Sequence, residues 1–131
     1  MARKKEKKRY CIAYLCATGE INQIARREKN QERYIREYAA AHNIEIVKVL
    51  HKDVLSMVMV WKHFVAMSHV IQKGQADGVS VSNMEEVSTG LSDAYAKIGL
   101  IREAGGDIIS VDQKDLLMPE LEAHYEQKTR I

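Results

Sequence analysis

Three short stretches of the 131-residue chain hold the side chains whose types could do chemistry. In "CATGEIN", residues 16–22, the Thr18 hydroxyl is a nucleophile only if a base or cations activate it. The Cys16 thiol becomes reactive only beside groups that lower its pKa; otherwise it is a small buried hydrophobe. Gly19 alone falls short of a glycine-rich phosphate cradle. In "HKDVLS", residues 51–56, His51, Asp53 and Ser56 have the types of a hydrolase triad. Triads, however, are gathered in space from separate elements, which argues against one here. In "SNMEEVSTG", residues 82–90, Glu85 and Glu86 could exchange protons or hold a cation, but adjacent side chains diverge. Their alternative reading is an exposed acidic turn before a helix capped by Thr89 or Ser92, with Asp93 near its positive end. His63 and His69, six apart, share no helical face and make no zinc pair. Cys11 and Cys16, five apart on a strand, point to opposite faces and cannot easily bridge. No metal site and no cofactor are expected.

The elements that must position these residues alternate in period. Residues 10–16 read as a strand, with Tyr10, Ile12 and Tyr14 among them. Residues 22–41 read as a helix, Ile24, Gln31, Tyr34, Ile35, Tyr38 and Ala41 recurring at three- and four-residue steps. Asn43 suits the left-handed cap that ends it. "IEIVKVL", residues 44–50, is β-branched and strand-like. Residues 51–60 are open between strand and helix. Phe64, Met67, Ser68 and Ile71 fit a helix ending near Gly74, and residues 78–82 a short strand. Leu91, Tyr95, Ile98 and Ile101 mark a helix closed by Gly105 and Gly106, before a strand over 107–111. Pro119 opens a last short helix with Leu121 and Tyr125 on its apolar side. This β-α-β alternation predicts an α/β fold: an open, mainly parallel sheet of four to five strands with helices on both faces. The functional crevice of such a sheet lies at the carboxyl ends of its strands, where loops 16–22, 51–61 and 82–90 fall.

Composition narrows the class. An apolar share of 46% suits a folded domain, and no apolar run approaches membrane-spanning length. No signal-peptide pattern follows the charged N-terminus, so a cytoplasmic location is expected. Residues 2–9, "ARKKEKKR", carry six basic side chains and one acidic, or +5. Taken from the overall +2, that leaves −3 for the rest of the chain. The expected organisation is a basic flexible arm, 1–9, and one α/β domain, 10–131. Arg3, Lys4, Lys5, Lys7, Lys8 and Arg9 give the arm an electrostatic route to DNA, or simply solvate it. The apolar run Met57, Val58, Met59, Val60 and Trp61 is candidate interface material, and equally candidate core.

Residues 10–112 resemble the N-terminal catalytic domain of the serine recombinases, the resolvase/invertase family. The resemblance is carried by the order of elements, by Gln31 ahead of "REYAAAHNIEIV", and by "KDVLS" after the second strand. It implies a resolvase-like sheet and a site at the first strand's exit. In that family the strand ends in Tyr-x-Arg-x-Ser, whose serine attacks a DNA phosphodiester. The matching residues here are Tyr14, Cys16 and Thr18, so the arginine is replaced by a thiol and the serine by threonine. The family's Asp-Arg-Leu-Ser-Arg corresponds to Glu85, Glu86, Val87, Ser88 and Thr89, without either arginine. Asp53 and Ser56 stand, but Met57 replaces the glycine that follows, and Trp61-Lys62 lies about where another arginine belongs. Relatives continue into a long dimerisation helix and a DNA-binding domain, whereas this sequence ends at Ile131.

Phosphoryl transfer depends on cations and donors aimed at the transferring group, and one lost donor costs orders of magnitude in rate. The expectation is a vacated site: a catalytically inactive domain that binds or assembles, pairing with itself or with an active recombinase subunit. Two alternatives stand beside it. One is an active recombinase attacking with Thr18 and supported by Lys62 or the arm. The other is an unrelated flavodoxin-like regulatory domain, which lacks the clustered acids a receiver needs at residues 14–20.

Overall fold

The computed structural model describes residues 7–17, 19–52, 57–112 and 114–115. Five strands form one sheet. β1 (Arg9–Leu15), β2 (Ile44–His51), β3 (Gly78–Val81) and β4 (Asp107–Ser110) are parallel, and the two-residue β5 (Lys114–Asp115) runs antiparallel to β4. The spatial order is β2-β1-β3-β4-β5, which puts β1 in the interior beside two parallel neighbours. Helices α1 (Ile21–Ala41), α2 (Met57–Gln72), the single turn α3 (Met84–Val87) and α4 (Leu91–Glu103) complete the described chain. The expected open, mainly parallel sheet is what forms.

β1 shows why. It is buried on both faces from Cys11 to Leu15, so its sequence is continuously apolar rather than alternating. Its side chains still alternate in destination. Cys11, Ala13 and Leu15 pack under α1 with Ile35 and Ala39. Ile12, Tyr14 and Cys16 join Val60, Phe64, Met67, Val87, Ala94 and Ile98 on the other face. The two cysteines therefore lie on opposite sides of the sheet, as their spacing requires, and both are free thiols.

Several boundaries shift. Arg9 is the first residue of β1, bonded to Asp107 at 3.4 Å, and not part of a free arm; Lys8 lies 3.6 Å from Glu45 of β2. On α1 the buried stripe runs through Gln31, Ile35 and Ala39. Tyr34 is half exposed and Ala41 exposed, against expectation, because one residue's step turns a side chain about 100° away from the sheet. Asn43 adopts φ +56°, the cap conformation foreseen for it. Residues 57–60 resolve as the start of α2, where the i, i+4, i+7 spacing of Val60, Phe64 and Met67 buries all three. Residues 53–56, and the helix expected after Pro119, lie outside the described residues. Among the described residues no helix is long and apolar enough to cross a membrane.

Candidate functional site

Among the described residues, the exit of β1 is closely packed. Cys16 and Ala17 are buried, and the Gln31 side chain of α1 bonds both the backbone N–H and the backbone carbonyl of Cys16. Its side-chain oxygen accepts from the Cys16 N–H at 2.9 Å, and its amide nitrogen donates to the Cys16 carbonyl at 3.0 Å. The same nitrogen donates to a carboxylate oxygen of Glu86. The Cys16 thiol donates to the Glu86 carbonyl at 3.0 Å, so β1, α1 and α3 are tied at one point. Burial, assisted by the nearby Glu86 charge and opposed by Lys52, pushes the thiol up to about 11. At neutral pH this sulfur is a protonated, packed group with little nucleophilic character.

The acidic pair is not an exposed turn. Asn83 caps α3, its side-chain oxygen accepting from the Glu86 N–H at 3.0 Å, while Met84 and Val87 anchor the turn in the core. Glu85 and Glu86 are thereby held half-buried at the strand ends. Burial raises the Glu86 pKa from its ordinary value; Asp112 and Glu85 push the same way, while Asn83 and Arg27 oppose them.

The remaining motif residues fall into place around this cluster. Tyr14 shares a 2.8 Å hydrogen bond with His63 Nδ1 and meets Phe64 edge-on, so His63 serves the core of α2. The buried Ser88 hydroxyl donates to the Met84 carbonyl. The cap expected of Thr89 or Ser92 does not form: Gly90 is the N-cap of α4, and Asp93 instead accepts from the Thr89 N–H at 2.9 Å. Thr18, Asp53 and Ser56 lie outside the described residues, as do Arg3, Lys4 and Lys5 of the arm. Of the run left open between interface and core, Val58 and Trp61 are exposed and Val60 is fully buried.

Three cations outside the motifs reach this end of the sheet. The Arg27 guanidinium lies over Gly19, which holds φ +126°; a Cβ there would sit 2.7 Å from the arginine nitrogen. Lys52 follows β2, its N–H bonded to the Leu15 carbonyl at 3.0 Å, and it favours the Cys16 thiolate. Lys97 on α4 is 1% exposed, paired with Asp93 and 5.8 Å from the Phe64 ring centroid. Helical periodicity could have found Lys97, since it stands three residues after Ala94 and four before Ile101, both buried. Nothing in local sequence pointed to Arg27. Among the described residues no group of three or more metal-ligating side chains converges.

No family model matches the sequence, and no curated protein does either. Solved structures do match in shape. A resolvase family site-specific recombinase from Streptococcus pneumoniae superposes with a TM-score of 0.71 at 18% identity, over 92% of this chain and 88% of that one. The N-terminal catalytic domain of TP901-1 integrase gives 0.70 at 15% identity, over 91% and 96% of the two chains. The C-terminal catalytic domain of ISC1926 TnpA, an IS607-like serine recombinase, gives 0.63 at 19%, over 88% and 77%. Strand order 2-1-3-4-5 alone is shared with flavodoxin-like sheets, so the antiparallel β5 and these superpositions carry the distinction. The chain has the fold of the resolvase-type serine recombinase catalytic domain.

Proposed function

We propose that this chain acts in DNA recombination as a resolvase-like domain without strand-cleaving chemistry of its own, binding and assembling rather than cutting. One observation carries the reading. Where a cleaving domain needs cations and donors aimed at a phosphodiester, the Cys16–Gln31–Glu86 cluster turns its donors inward and sets a carboxylate at the strand exit. Its partner is a second copy or an active recombinase subunit, in the cytoplasm. Val58 (66% exposed) and Trp61 (38%) on α2 offer apolar surface for that contact. The basic residues ahead of β1, Arg3, Lys4, Lys5, Lys7 and Lys8, add affinity for DNA, and the rest of the chain is one domain.

A cleavage assay on supercoiled plasmid, with denaturing capture of any protein–DNA adduct, tests the absence of chemistry. Intact plasmid and no adduct at high concentration of folded protein are expected; a covalent adduct lost in Thr18→Ala refutes the reading. Arg27, Lys52 and Lys97 favour that second reading, an active recombinase attacking with Thr18, because they bring positive charge to the exit from outside the motifs. Neutralising Arg27 would then abolish adduct formation.

A further inference from the structure

The outer face of α1 carries an arrangement that neither the core nor the β1 exit uses. Arg26, Lys29, Arg33 and Arg36 follow one another at steps of three, four and three residues, the spacing of one stripe along a helix, and all four are exposed. Arg36 is matched by Glu32 at 2.9 Å. Among the described residues Arg26 and Lys29 have no ion-pair partner, and Arg33 only stacks over Tyr34 at 5.2 Å. Two adjoining shallow depressions share Lys29 and Glu32, so the stripe lies on one continuous surface from Arg26 beside His51 to Arg36, a surface that also carries Glu28 and Glu37.

Of the acids on this surface Glu28 lies 3.8 Å from His51 and Glu32 pairs with Arg36, and among the described residues none pairs with Arg26, Lys29 or Arg33. A polyanion of matching spacing supplies that pairing. From Arg26 to Arg33 the helix rises about 10 Å, and the phosphates of one B-DNA strand succeed each other by about 3.4 Å along the axis. The three unmatched cations therefore span about three phosphate steps. Two of them are guanidinium forks suited to paired phosphate oxygens. An anionic membrane fits less well, because the apolar side of α1, Ile35 and Ala39, is already buried against the sheet and cannot enter lipid.

We propose that the Arg26–Lys29–Arg33 stripe of α1 is a docking surface for the phosphate backbone of duplex DNA, separate from the β1 exit and from the N-terminal arm. It reads no base sequence and sets where a duplex lies against the domain.

The test is fluorescence anisotropy of a labelled duplex with the full chain over a salt series. Wild type binds, and Arg26→Gln/Lys29→Gln/Arg33→Gln lowers the slope of log affinity against log salt by about 2.7, or 0.9 per phosphate contact. Lys73→Gln/Arg102→Gln, two exposed cations elsewhere, leaves the slope within about one unit of wild type. Neutralising Lys4, Lys5, Lys7 and Lys8 leaves the further loss from the stripe variant intact. Circular dichroism checks that each variant is folded, which the exposure of these side chains favours. Wild type that does not bind, an unchanged slope in the stripe variant, or an equal loss in the control overturns the proposal. So does binding abolished by neutralising the arm alone. Stripe-dependent binding to phosphatidylserine vesicles as tight as to the duplex overturns it in favour of a membrane surface.

Discussion

Gln31 is the side chain whose removal should cost most per atom. It is 6% exposed and bonds both the backbone N–H and the backbone carbonyl of Cys16, a residue itself 1% exposed. Gln31→Ala strands a buried N–H and a buried carbonyl, each worth about 1–3 kcal/mol when left unmade. Water entering the vacated space recovers part of this, so a net loss of about 3 kcal/mol is expected, near the low end of the sum. For a domain of this size that is a fall in Tm of about 10 °C. Gln31→Glu should cost more at neutral pH, because it sets a second carboxylate against Glu86. The pair Gln31→Glu/Glu86→Gln restores a donor opposite an acceptor and should be more stable than additivity of the single variants allows. Urea denaturation of wild type, Gln31→Glu, Glu86→Gln and the double variant measures the cycle, with Gln31→Ala alongside and slopes compared to confirm the same unfolding. If Gln31→Ala lies within about 0.5 kcal/mol of wild type, the idea that this amide closes the strand exit is wrong.

Other outcomes follow from the same cluster. Glu86 has a folded pKa raised by burial, so the folded state binds its proton more tightly than the unfolded chain and stability declines as pH rises through that window. Melting curves from about pH 4 to about pH 7 should therefore show Glu86→Gln gaining on wild type as pH increases; parallel curves would contradict the burial argument. Cys16, with its thiol at about 11 and hydrogen-bonded, should react with a maleimide far more slowly than free cysteine at neutral pH, and rapidly once urea unfolds the chain. Equal rates in both states would show the exit to be open. Lys97→Ala should cost about 3 kcal/mol or more, since it leaves a hole and removes the partner of Asp93, while Lys97→Met should lie within about 1.5 kcal/mol of wild type. Calorimetry of both separates packing from charge.

Much of the fold was legible because its signals are local. The continuous apolar run of β1, the three- and four-residue steps of Ile35, Phe64, Met67, Ile98 and Ile101, and Asn43 at the helix end each follow from one stretch of chain. The errors fell where a short turn competes with a loop. "NMEEV" has too few residues for periodicity, and only the core contacts of Met84 and Val87 make it helical. Tyr34 and Ala41 misled because the period of 3.6 residues tolerates a neighbour until the width of the contact is known. The candidate site was legible as positions and illegible as interactions: Cys16, Gln31 and Glu86 were each singled out, but not that one amide would join all three.

The sequence by itself determined the alternation of elements and the opposite facing of the two cysteines. These are properties of residue type and spacing, fixed before any contact forms. The tertiary structure decided what surrounds the strand exit. Arg27, Lys52 and Lys97 come there from α1, the end of β2 and α4, and the Glu86 carboxylate is drawn onto Gln31. Charge acts through space over several ångströms, and only packing brings residues 70 positions apart within that range.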